Sequence, residues 1–114
     1  MSHMDTLEYL KLKLAYQMLD DANEDVAFHP GEIYLVAITA MMFCDFDFEK
    51  SMSFIVNYGR DNDTVAAIAG AILGAYWGAE NLPKTMSEQV LSVNKHELGI
   101  DLEKLASLMT DQYY

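Results

Sequence analysis

Asp61, Asn62, Asp63 and Thr64 form the one cluster in the chain whose residue types and spacing suggest chemistry. Side chains two residues apart on a helix point about 200° apart, so Asp61 and Asp63 cannot converge from within one helix. In an extended turn that leads into a helix, both carboxylates can face a single point, and Thr64 adds a hydroxyl oxygen. Carboxylate, hydroxyl and water are hard ligands, which select magnesium, manganese or calcium over zinc. The same four residues also suit an acidic N-cap, where aspartate complements the helix dipole. On spacing alone the cap is the favoured reading. An EF-hand is excluded, because the loop lacks the glycine after its acids and the glutamate at its twelfth position.

The other reactive side chains are more isolated. His29 precedes Pro30 and reads as a helix-start residue, whereas His96 sits in a polar turn with Lys95 and Glu97. Neither has a second His or Cys at metal-binding spacing. Cys44 follows Met41, Met42 and Phe43 and reads as a buried thiol. No serine lies in a nucleophile-elbow setting, and no glycine-rich phosphate loop is present. Arg60 is a solitary cation in the acidic loop, with two uses open to it. It can pair structurally with a nearby carboxylate, which is the favoured role, or it can meet an anionic ligand.

The elements that must position these residues are helical throughout. Leu7, Leu10, Leu14 and Met18 recur at spacings of three and four, with Leu12, Tyr16 and Leu19 as a second stripe. This helix ends in the acidic stretch 20–25. Phe28, His29, Pro30 and Gly31 break the pattern, and Pro30 suits the first turn of the next helix. The run 33–44 is almost wholly apolar and reads as a deeply buried second helix. Asp47 can cap a third helix whose stripe is Phe48, Met52, Ile55 and Val56. After the polar turn, residues 65–79 carry no charge and read as a helix buried in protein on all sides. At 15 residues this segment is shorter than the ~18–20 that span a bilayer. Thr85 and Glu88 have capping-box spacing and open a fifth helix through about Asn94. Asp101 caps a sixth, carrying Leu102, Leu105, Ala106 and Met109. The expectation is an all-α protein of about six helices. Gly70, Gly74 and Gly78 recur every four residues, which implies close approach of another helix backbone.

Composition narrows the function. Seven bases against eighteen acids give a net charge of −11 over 114 residues. Such a surface repels both nucleic-acid phosphates and anionic lipid headgroups, so neither nucleic acid nor membrane is expected as a partner. One cysteine excludes a disulfide framework and points to a reducing, cytoplasmic compartment. Residues 1–4 read as a start codon and a cloning scar, which leaves 5–114 as a single all-α domain. Two helices without a polar face need more cover than four amphipathic helices supply. A homo-oligomer, most simply a two-fold dimer, is therefore expected, or else membership in a larger fold.

The run 57–78 closely resembles the C-terminal signature of the ADP-ribosylglycohydrolase family. The family pattern is a Gly-x-Asp-x-Asp-Thr turn, matched by Gly59, Asp61, Asp63 and Thr64, followed by a helix rich in Ala and Gly and a short connection to proline, here Pro83. Asp47, Phe48 and Glu49 also look like the family's helix start, and the similarity extends over roughly residues 30–109.

The resemblance implies a compact all-α fold and metal-dependent hydrolysis of an ADP-ribose glycosidic bond in an ADP-ribosylated substrate. It also implies that Asp61, Asp63 and Thr64 bind a pair of magnesium or manganese ions. Full-length members are longer and add a Thr-Asp-Asp motif and a Gly-Asp-x-x-Gly motif, neither of which occurs here. The sequence thus looks like the C-terminal part of the family fold, with half of a dinuclear site. It is expected to be inactive alone and to need a missing N-terminal half or a second copy for cover. The rival expectation is a non-enzymatic all-α interaction module that self-associates through its apolar helices.

Overall fold

The computed structural model describes residues 5–23, 25 and 29–114. Residues 1–4 and Phe28, which figured in the sequence reading, lie outside the described residues. The chain divides into two units, one extending to Tyr76 and the other running from Trp77 to Tyr114.

The first unit is built from α1 (Thr6–Asp21), α2 (Pro30–Phe43), α3 (Phe48–Tyr58) and α4, which runs Asn62–Trp77 and ends at the division. Each of the first three starts on a side chain that satisfies an orphan backbone donor. Asp5 accepts from the Glu8 amide at 2.7 Å, and Asp47 accepts from the Lys50 amide at 2.8 Å. His29 is the N-cap of α2, its Nδ1 accepting from the Gly31 amide at 3.1 Å, with Pro30 in the first turn as expected. His29 is thus a helix-start residue.

Helix α2 is the centre of the unit. Ile33, Val36, Ala37, Ala40 and Met41 make up nearly half of the buried apolar side chains, joined by Leu19 of α1, Phe54 and Ile55 of α3, and Val65, Ala69 and Leu73 of α4. Ile55 and Leu73 are fully buried, each contributing roughly 1.5–3 kcal/mol of burial free energy. Aromatic rings fix how the helices meet. Tyr16 packs on Phe54 with centroids 4.8 Å apart, and its hydroxyl donates to the Phe54 carbonyl oxygen at 3.2 Å.

Three expectations are corrected here. Helix α4 is not buried on all sides, since only the stripe Val65, Ala69 and Leu73 is covered, while Ile72 and Tyr76 are exposed. The glycine ridge meets no neighbouring backbone. A Cβ on Gly70 or Gly74 would find no other atom within 4 Å, and Gly78 lies beyond the helix with φ 78°. The expected α3 face holds for Ile55, which is buried, and for Phe48 and Met52, which pack against the core, whereas Val56 is exposed and Ser51 and Phe54 are buried in its stead.

The second unit holds a single 3-10 turn (Ala79–Asn81), α5 (Lys84–Glu97) and α6 (Leu102–Tyr113), with α5 and α6 packed together. Asp101 caps α6 as expected, accepting from the Lys104 amide at 3.1 Å. The capping box at Thr85 and Glu88 does not form. Helix α5 already begins at Lys84, behind Pro83, with no side-chain cap, so Thr85 lies inside the helix. The described residues are all-α, with six α-helices and no strand, and none of the helices is long and apolar enough to cross a membrane.

Candidate functional site

Only Gly59, Arg60 and Asp61 separate the end of α3 from the start of α4. Gly59 takes φ 91°, a region open to glycine at little cost. Arg60 follows with φ 55°, the left-handed region in which a non-glycine residue costs about 1–2 kcal/mol. Asp61 then begins the helical ladder, its carbonyl oxygen accepting from the Val65 amide at 3.2 Å. This short reversal places the Asp61 side chain above the first turn of α4, which carries Asp63 and Thr64.

The oxygens of the three residues meet there. The Thr64 hydroxyl donates to Oδ1 of Asp61 at 2.9 Å. The Asp63 carboxyl is held below the usual carboxylate range, first by a hydrogen bond with the Asp61 side chain and next by the Thr64 backbone amide. Two carboxyl groups this close repel when both are ionised, unless a proton or a cation lies between them. Thr64, having given its proton to Asp61, keeps its lone pairs for a third partner. All three residues are accessible to solvent, Asp63 most of all. The set therefore fits a hard divalent cation in type, and it is small. Among the described residues, no group of three or more Asp, Glu, His or Cys side chains converges on one point.

Arg60 is tied to α2. Its Nε donates to Oε2 of Glu32 at 2.7 Å and its Nη2 to Oε1 at 2.9 Å, a two-pronged pair that spans 28 residues of sequence. The Glu32 side chain is 3% exposed, against 29% for Arg60. The hydrogen bond to Glu32 raises the Arg60 pKa further above its already high value. Of the two uses open to Arg60, the structural one is thus taken.

Glu32 is the residue that sequence reasoning missed. It stands in the first turn of α2, where an acid ordinarily needs no explanation beyond the helix dipole. The available signal was indirect: a charged residue entering a helix that is otherwise apolar, and a solitary arginine in the acidic loop.

The remaining candidates stay apart from this site. Cys44 closes α2 and is half-buried, and burial pushes its thiol pKa up, which makes it a poor nucleophile. His96 lies in the last turn of α5 and is exposed.

Comparison with known proteins places these residues in context. No solved structure matched the chain. ADP-ribosylhydrolase ARH3 from Bos taurus is 38% identical over 40 residues, which is 35% of this chain and 11% of the relative. The Mus musculus protein of the same name gives the same figures, and the Homo sapiens protein is 35% identical over 40 residues. The matched segment is thus a small part of those relatives. The family comparison, in contrast, covers residues 5–114, essentially the whole described chain. The chain belongs to the ADP-ribosylglycohydrolase family.

Proposed function

We propose that this chain supplies Asp61, Asp63 and Thr64 as one part of a divalent-metal site for hydrolysis of an ADP-ribose glycosidic bond. The observation that carries the reading is the meeting of two carboxyls and a threonine hydroxyl at the head of α4, in a chain of this family. Magnesium or manganese suits these hard oxygens. When bound, such ions orient ribose hydroxyls and lower the pKa of a water nucleophile. Asp61, Asp63 and Thr64 would hold the metal, the Thr64 hydroxyl also keeping the Asp61 carboxylate turned toward it.

Three protein oxygens leave half of the six positions of one octahedral magnesium to water, and shared between a pair of ions they leave more than half. The chain by itself is therefore a weak metal binder and catalytically incomplete. The experiment is a manganese titration followed by paramagnetic broadening of backbone amide signals, together with an assay on ADP-ribosylated peptides. Broadening confined to Asp61–Thr64, lost in the double variant Asp61→Asn, Asp63→Asn, is expected, with no release of ADP-ribose. Tight binding that survives both substitutions refutes the site. Metal-dependent turnover that is lost in Asp63→Asn would make the chain a complete enzyme.

One observation favours a second reading, a self-associating all-α module. The face of α2 opposite the core carries Tyr34, Ile38 and Met42, which are 60%, 48% and 65% exposed. Their spacing of four makes a continuous apolar stripe. A second copy of the chain or a further part of the family fold would cover it.

A further inference from the structure

We infer that Glu32, acting through Arg60, is a positioning residue for the Asp61–Asp63–Thr64 oxygens. This rests on the reading of those oxygens as metal ligands. The sequence signature of the turn does not include position 32, and the connection is visible only in three dimensions.

A buried ion pair is a poor device for stability, because desolvating the two charges offsets most of their attraction and an apolar pair of similar size does as well. Glu32 nevertheless turns a charged side chain inward at the mouth of the core, beside Ile33. What an apolar pair cannot do is fix direction. The guanidinium fork meets the carboxylate through two hydrogen bonds, which sets the plane and the axis of the Arg60 side chain together.

Direction matters at this position. Arg60 is held in the left-handed region and is directly followed by Asp61. A change in its φ or ψ swings the Asp61 carboxylate away from Thr64 and Asp63, which belong to the rigid first turn of α4. Gly59 has no side chain with which to resist that change. The two-pronged pair from Arg60 to Glu32 ties this three-residue link to α2. Helix α2 is the best-buried element of the unit, so Glu32 anchors the turn to its least movable part.

The test uses the 114-residue chain labelled with 15N, first without metal. A left-handed residue brings its amide and α protons close, so Arg60 should give a strong intraresidue NOE. In Glu32→Gln, which keeps the shape and removes the charge, that NOE should drop to an ordinary level. The manganese concentration that halves the Asp61 and Asp63 amide signals should rise by about 10–100-fold, the usual effect of losing a group that orients a ligand. Arg60→Gly added to Glu32→Gln should recover part of the manganese response, because glycine takes a positive φ without a clamp. If Glu32→Gln does not fold, Arg60→Lys serves instead, since it keeps the charge without the fork and should show the same two losses. An unchanged Arg60 NOE and manganese response in the variants overturns the inference. Should the parent chain show no broadening confined to the turn, the metal reading fails, and the metal-free NOE still decides whether Glu32 holds Arg60 in place.

Discussion

The Tyr58 hydroxyl donates to Oδ1 of Asn23 at 2.9 Å, joining the last residue of α3 to the segment that follows α1. Burial, followed by the nearby Asp20 carboxylate, pushes the Tyr58 pKa from 10.0 up to about 12. The native state therefore holds this proton at pH values where the unfolded chain has released it. Its contribution to stability is complete below pH 10 and is lost as pH rises from 10 through about 12. Alkaline titration followed by tyrosinate absorbance should show a late-ionising component that Tyr58→Phe reduces without abolishing, because burial also raises the pKa of Tyr16. The same variant should also flatten the fall in melting temperature over that range.

The open space around the α4 glycines gives a prediction opposite to the one their spacing suggests. With no atom within 4 Å of a Cβ at Gly70 or Gly74, alanine meets no clash there. Each substitution should stabilise the chain by roughly 0.5–1 kcal/mol through helix propensity, seen as a higher melting temperature. A lower melting temperature would mean that another backbone covers this face in solution.

The apolar stripe on α2 should drive self-association. Light scattering is expected to report at least a dimer, and Ile38→Glu together with Met42→Glu should return it to a monomer without loss of helicity. A monomeric parent chain would remove the reading.

The two units should differ in local stability. Every buried apolar side chain lies in the first, whereas α5 and α6 have no buried residue. Helices of 12–14 residues are marginal without packing. Hydrogen exchange should therefore be slow for the core-facing amides of α2 and α3 and fast through α5 and α6. Ile55→Ala, in contrast, should cost about 2–5 kcal/mol of global stability. Uniform protection across both units would contradict this division.

What could be read from the sequence was local, and what could not was relational. The caps at Asp47 and Asp101 and the helix start at His29 and Pro30 depend on bonds within three residues, so residue type and spacing suffice. The turn at Asp61–Thr64 was legible for the same reason. Thr85 and Glu88 had the spacing of a cap, yet Pro83 starts α5 earlier and carries them inside the helix. Val56 of the α3 stripe and the glycine ridge failed because periodicity gives the width of a face without saying which neighbour it meets. Glu32 was illegible because its partner lies 28 residues away and nothing in its own turn marks it as unusual.

That distance bears on how such a site is inherited. A descendant could keep every letter from Gly59 to Thr64 and lose the arrangement by one substitution at position 32, while a peptide copied from the turn would carry the letters without the shape. Recognition by short pattern would count both as intact. A more discriminating signature would pair an acid at the head of the second helix with the arginine before the first aspartate, and it would treat their joint presence as the mark of a working turn.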